Sequence, residues 1–135
     1  MNAPQAAAVK FELSAPITIT MPPLNAGELW VGVVTTPEGL HHVILLPGDQ
    51  DDAPWAKQMA WAQSIGGDLP TRLEYGLLHT MLEDEFKRDW YWCSEQYAGN
   101  SAYAWCQSFS DGIQDYILKS DSTTRARAVR RLVIR

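Results

Sequence analysis

Three stretches decide how this chain folds. They are Gly66-Gly67-Asp68-Leu69-Pro70-Thr71-Arg72-Leu73-Glu74, Trp90-Tyr91-Trp92-Cys93-Ser94-Glu95, and the run Tyr103-Ala104-Trp105-Cys106-Gln107-Ser108-Phe109-Ser110-Asp111-Gly112. Thr71 and Glu74 stand at capping-box spacing, so each side chain can satisfy a free N–H of the other's backbone. Behind them Leu73, Leu77, Leu78, Met81, Leu82 and Phe86 recur at helical spacing, which predicts an apolar stripe over about four turns. After Phe86 the period changes to that of strands. Trp90–Ser94 and Ala102–Phe109 are expected strands, with Tyr97–Ser101 as the loop between them. Ser110-Asp111-Gly112 is a hairpin turn in which Gly112 is free to take positive φ. Ile113–Ile117 should pair back, Lys119–Thr124 is a polar loop, and Arg125–Ile134 is the expected final strand.

Upstream, Ala53–Ile65 reads as a helix. Asp51 and Asp52 favour its start, Pro54 suits its first turn and Gly66-Gly67 stops it. Trp55, Met59 and Ala62 share one of its faces. Leu29–Val34 and His42–Leu46 are β-branched, apolar runs joined by Thr36-Pro37-Glu38-Gly39, which predicts a hairpin. Phe11–Met21 alternates in part, as a strand would, until Pro22-Pro23 breaks it. Residues 1 to 10 read as a weakly held arm. The order is strands, then two helices, then strands: an α+β fold, two helices packed on small antiparallel sheets. We expect one domain over 1–135, with N-terminal strands and hairpin in 11–50 and the core in 53–132.

The bulk composition narrows the function classes. At 46% hydrophobic and 20% charged residues the chain is ordinary globular material rather than disordered. Its formal net charge of −5 argues against direct nucleic-acid binding. Acids cluster at Asp49, Asp51 and Asp52 and again at Glu83, Asp84 and Glu85; the tail carries Arg125, Arg127, Arg130, Arg131 and Arg135. That tail is either a solvated strand face, a contact for an acidic partner, or a set of internal ion pairs with the two acidic clusters. Met1–Val9 has no basic n-region and no apolar run approaches a span, so neither a leader nor a membrane segment is expected. Cys93 and Cys106 do not make a disulfide framework. They could meet across adjacent strands, although two free, partly buried thiols are the better account. His41 and His42 are adjacent on a strand and point to opposite faces, a poor arrangement for a shared metal. No nucleophile elbow, phosphate loop or zinc-ligand pattern is present, and no cofactor or metal is expected.

Leu69-Pro70-Thr71-Arg72-x-Glu74, Tyr91-Trp92-x-Ser94, Ala104-Trp105, Phe109-Ser110-x-Gly112 and Arg127-x-Val129-Arg130 form an ordered set. Over residues 53 to 132 it resembles a group of bacterial and phage domains with a C-type-lectin-like fold. The group includes the C-terminal domain of a collagen-like bacterial adhesin and many prophage reading frames. More distantly it is similar to formylglycine-generating enzymes and to the variable proteins of diversity-generating retroelements. The resemblance implies a C-type-lectin-like fold and a phage-like origin. Calcium-binding lectins use Glu-Pro-Asn-like and Trp-Asn-Asp-like triplets. Here Glu95-Gln96-Tyr97 and Trp105-Cys106-Gln107 stand instead, without the oxygen-rich cage calcium needs.

Such folds bind through their late strands and loops. Alternation assigns Trp90, Trp92 and Ser94, and Trp105 and Phe109, to the core. It leaves Tyr91, Glu95, Tyr97, Asn100, Tyr103, Asp115 and Tyr116 as the expected exposed partner-binding set, tyrosine and asparagine being typical paratope chemistry. The expectation is a non-enzymatic, phage-encoded protein-binding module. Its partner would be a bacterial host protein, such as a CRISPR effector or other defence component blocked in the host cytoplasm; if that target binds nucleic acid, the acidic clusters could occupy its basic groove. The alternatives are a virion or tail-associated receptor-binding or structural protein and, more remotely, a formylglycine-like oxidoreductase.

Overall fold

The computed structural model describes residues 18–135. The expected arm over residues 1–10 and most of the expected strand over Phe11–Met21 lie outside them; residues 18–21 belong to no strand. Among the described residues the architecture is α+β, two helices with two antiparallel sheets of three strands each.

The hairpin forms where the sequence places it. Strands β1 (Leu29–Thr36) and β2 (Gly39–Leu45) flank a two-residue turn, and Gly39 takes φ +113° there. A bulge between Trp30 and Gly32 shifts the register, which bends β1 locally. Strand β6 (Val129–Val133), near the chain's end, pairs with β2 through Leu45 opposite Val129, giving the order β1-β2-β6. Both helices and the second sheet are inserted between β2 and β6. That sheet comprises β3 (Trp90–Gln96), β4 (Tyr103–Ser108) and β5 (Gln114–Leu118), in that order.

The expected ten-residue final strand is halved. Residues 124–128 leave β6 and stitch the molecule together by isolated main-chain bonds. Leu46 N–H donates to Ala128, Gln50 to Ala126, Ala53 to Thr124 and Trp92 to Arg125, all at 2.9–3.2 Å. A regular strand serves one partner on each edge, whereas this segment serves both sheets and the start of a helix.

Helix α1 (Trp55–Ser64) opens without a side-chain cap. Asp51 and Asp52 therefore do not cap it; the first turn is held by Trp55 N–H on Lys119 O at 3.0 Å. Helix α2 (Arg72–Leu82) carries the expected capping box, with Glu74 N–H on Thr71 Oγ1 at 3.2 Å and Thr71 N–H on Glu74 Oε1 at 2.9 Å. Its apolar stripe is rotated from the expected one. Leu73 is 62% exposed and Met81 58%, while Glu74, Tyr75 and Leu78 face inward. Two polar anchors set that rotation. Glu74 joins Arg131, and the Tyr75 hydroxyl donates to Trp92 O at 2.8 Å. Phe86 reaches the core only after a 3-10 turn over Glu83–Glu85.

The core is two clusters, one on each face of β3 and β4. On one side Phe86 and Phe109 stack at 3.9 Å, edged by Tyr75 and Tyr91 at 5.8 and 5.4 Å from Phe109. On the other, Trp92, Cys106, Ala104 and Leu69 pack against Trp55, Met59 and Trp61. Burying each such side chain contributes roughly 1.5–3 kcal/mol. Both faces of β3 near Trp90 are thus covered, and alternation there separates two interiors rather than inside from outside.

Candidate functional site

The late strands behave differently toward their far end. Past Ser94 the covering helices run out, and the face of β4 and β5 that shares parity with Tyr103 opens to solvent. There Trp105 lies opposite Tyr116 across the β4–β5 ladder, with Tyr103 opposite Leu118. Tyr116 stacks on Tyr97, which comes from the β3–β4 loop, at 3.7 Å and 7°. Both rings meet Trp105 edge-on, at 5.7 Å for Tyr97 and 5.2 Å for Tyr116. Tyr103 abuts Tyr116 at 5.9 Å. Edge-to-face and offset geometries of this kind are favourable beyond the area they bury, by about 0.5–1.5 kcal/mol per pair.

The loop is built to hold Tyr97 in place. Tyr97 N–H donates to Tyr103 O and Tyr103 N–H to Asn100 O at 2.9 and 3.0 Å, while Asn100 Oδ1 accepts the Ala102 N–H. A Cβ on Gly99 would stand 2.6 Å from the Tyr97 ring, so the glycine leaves room for the ring to fold over its own loop. Tyr97 also acts on its neighbour electrostatically. Its hydroxyl, by hydrogen bond and charge, pushes the Tyr116 hydroxyl above its ordinary range.

Arg72, the first residue of α2, closes the assembly from the side. Its Cζ sits 3.5 Å above the Trp105 ring. Its Nε donates to Gln114 Oε1 at 2.9 Å, its main-chain N–H to Glu95 Oε1 at 2.7 Å, and its carbonyl accepts Gln114 Nε2 at 2.8 Å. Gln114 is itself held by Gln107, whose Oε1 accepts a bond from Gln114 Nε2 at 3.0 Å. The result is a rigid, amphipathic platform of Tyr97, Tyr103, Trp105 and Tyr116 with a fixed guanidinium and a carboxylate at one margin.

Of the expected contact residues, the structure gathers Glu95, Tyr97, Tyr103 and Tyr116, with Asn100 shaping the loop beside them. It does not gather Tyr91 or Asp115. Tyr91 is fully buried. Its hydroxyl donates to Asp49 Oδ2 at 2.6 Å and accepts the Lys87 N–H at 2.9 Å. Burial, then the Asp49 carboxylate, push that hydroxyl well above its ordinary range. Asp115 is exposed but lies opposite Cys106, hence on the other face of β5, where it lines a cavity with Trp90, Ile117 and Asp121. Trp105, expected in the core, packs half-buried against the first core cluster and is also the floor of the platform. The signal was available, since Trp105 and Tyr103 are two apart and share a face of any strand. Arg72 and Gln114 carry no comparable signal, because only tertiary folding brings α2 against β4 and β5.

Other candidate groups are absorbed by structure. Cys106 pairs across the ladder with Trp92 rather than Cys93, and both thiols are buried and free in different core clusters. Burial lifts the Cys93 thiol far above its usual value, and burial followed by the Asp115 charge pushes Cys106 up to about 12. Of the readings open for the arginine tail, internal ion pairing is the one found: Arg125 reaches the first acidic cluster, and Arg130 and Arg131 pair with other acids. Arg125 bonds Asp49 and Asp51, Arg130 bonds Glu28, and Arg131 bonds Glu74 and Asp68, at 2.7–3.1 Å. Arg127 is spent on the carbonyls of Leu46 and Glu85. His42 Nδ1 accepts the Trp30 indole N–H at 3.0 Å, and His41 faces Glu74 at 3.6 Å. Among the described residues no helix is long and apolar enough to cross a membrane. No family model matches this chain, and a search of curated proteins returns no match.

Proposed function

We propose that this chain is a non-enzymatic protein-recognition module of C-type-lectin-like fold. Its contact surface is the platform of Tyr97, Tyr103, Trp105 and Tyr116, bordered by Glu95, Asn100 and Arg72. The single observation that carries the reading is the co-facial Tyr97–Tyr116 pair standing on Trp105 at the uncovered end of the second sheet. Rigid aromatic area with polar edges binds proteins at small cost in side-chain entropy. The fold reading draws support from the pairing of β6 with the early hairpin, from the insertion between them, and from a second sheet that ends in loops. The two thiols, buried and held above their ordinary range, argue against the oxidoreductase reading.

The partner we propose is a bacterial defence protein, bound by a phage-encoded blocker. Its contact is the platform; in the first acidic cluster Asp49 is engaged by Arg125 and Tyr91, while Asp51 and Asp52 stay exposed. The test places a photo-crosslinking residue at position 103, with position 81 on the opposite side of α2 as the comparison, in a bacterial lysate. A single defence-complex subunit crosslinked from 103, absent from 81 and lost in Tyr97→Ala/Tyr116→Ala, is the expected result. Adducts to virion proteins alone would replace this reading with a structural role, and equal labelling from both positions would remove the platform from it.

A further inference from the structure

The arginines of this chain are used in two ways, and Arg72 belongs to neither. Arg125, Arg130 and Arg131 each hold a carboxylate, and Arg127 holds two carbonyls. Arg88 and Arg135 are exposed surface residues. Arg72, half-buried, is positioned by the Trp105 ring beneath it and Gln114 on its Nε, yet its two terminal amino groups have no partner among the described residues. Stacking and the Nε bond fix the plane and direction of the guanidinium. The outer edge of the fork, the edge that takes a planar anion by two parallel bonds, is left open.

We infer that Arg72 is a preorganised receptor for one carboxylate of the partner protein, an aspartate or glutamate side chain seated in the fork while its neighbouring residue packs on Tyr97 and Tyr116. The inference rests on the platform being the contact surface. Two features select a carboxylate over a phosphoryl group. The fork is planar and single, matching a planar monoanion, and the exposed Glu95 alongside it, on a chain of net charge −5, disfavours a second negative charge. Holding the receptor rigid before binding removes the ordering cost that a free arginine side chain would carry.

The experiment follows the Trp105 indole N–H and the Arg72 Nε–H by NMR on the full chain. The probes are acetyl-aspartyl-tyrosinamide and acetyl-asparaginyl-tyrosinamide, which differ by one carboxylate, with inorganic phosphate as a third. We expect saturable shifts at both groups and about tenfold tighter binding of the aspartyl probe. That advantage should shrink with added salt, partly survive in Arg72→Lys and vanish in Arg72→Gln, whose retained fold is read from the same spectra. Equal binding of the two dipeptides at the platform would overturn the Arg72 inference and leave the platform reading standing. Phosphate shifting Arg72 as strongly as the aspartyl probe would overturn the choice of carboxylate. Absence of any shift at Trp105 or Arg72 with every probe would overturn both.

Discussion

Two regions of this molecule hold an arginine beside a carboxylate, and they use it in opposite ways. Around Arg131 the guanidinium is consumed: it bonds both oxygens of Glu74, which is 2% exposed, together with Asp68 and Leu69 O. Around Arg72 the guanidinium is positioned and left open. The first arrangement ties α2 to β6 and so joins residues 57 apart in the chain. The second presents chemistry to the outside. Rigidity alone therefore does not mark a functional group; rigidity without an internal partner does.

The comparison is broken most violently at Arg131. Arg131→Met strands the Glu74 charge in the interior and should cost about 3–5 kcal/mol, read as a fall in the urea midpoint at unchanged slope. Arg72→Met removes a cation–π contact and one hydrogen bond at a half-exposed site and should cost about 1–2 kcal/mol. If the two variants are equally unstable, the distinction drawn between the regions is wrong.

Next in size is Tyr91→Phe. It leaves the Lys87 N–H and one Asp49 oxygen without their bond, for a loss of about 1–3 kcal/mol, whereas Tyr103→Phe on the platform should change thermal stability hardly at all. Acid should act on the structural ion pairs first. Arg130, then the Asn25 N–H, hold Glu28 down to about 2 against burial. For Glu74, burial alone would raise the carboxyl, but the bonds and charge of Arg131 reverse this and keep it below the ordinary range. Both groups are more acidic folded than unfolded. Their contribution is complete above the ordinary carboxylate range near 4.5 and is lost as pH falls toward 2. Urea midpoints measured from pH 6 to 2 should fall steadily, and Glu28→Gln should flatten that slope. An equal slope in the variant would show that Arg130 does not hold Glu28 as described.

A smaller effect on stability is expected at Gly99. Gly99→Ala should lower stability by about 0.5–1.5 kcal/mol by displacing the Tyr97 ring from Tyr116 and Trp105, seen as a changed near-UV circular dichroism signal. An unchanged signal would mean the ring tolerates a Cβ beneath it and the loop does not hold it as tightly as the geometry implies.

How much of this was legible in the sequence differs by element. The hairpin turn at Pro37-Glu38, the capping box and the Gly112 turn, where φ is +82°, all follow from local chemistry acting over four residues or fewer, and each stands where expected. The departures share a different character. Alternation places Tyr91 outward because Trp92 points inward, a deduction that holds only for a sheet covered on one face. Leu73 and Met81 match the helical period but lose to Tyr75 and Glu74, whose partners Trp92 and Arg131 lie on other elements. The final strand is shorter than its pattern predicts because its β-branched and arginine residues do not reveal how many elements they must serve.

The sequence by itself thus determined the succession of strands and helices, their turns and caps, and the tyrosine-rich composition of the late loops, since these depend on neighbours in the chain. Only the tertiary structure decided which tyrosines are surface, that four of the tail's arginines are internal ties, and that Arg72 comes to rest on Trp105. Those outcomes depend on which face of each element finds a covering partner, and that is settled by packing between segments thirty or more residues apart.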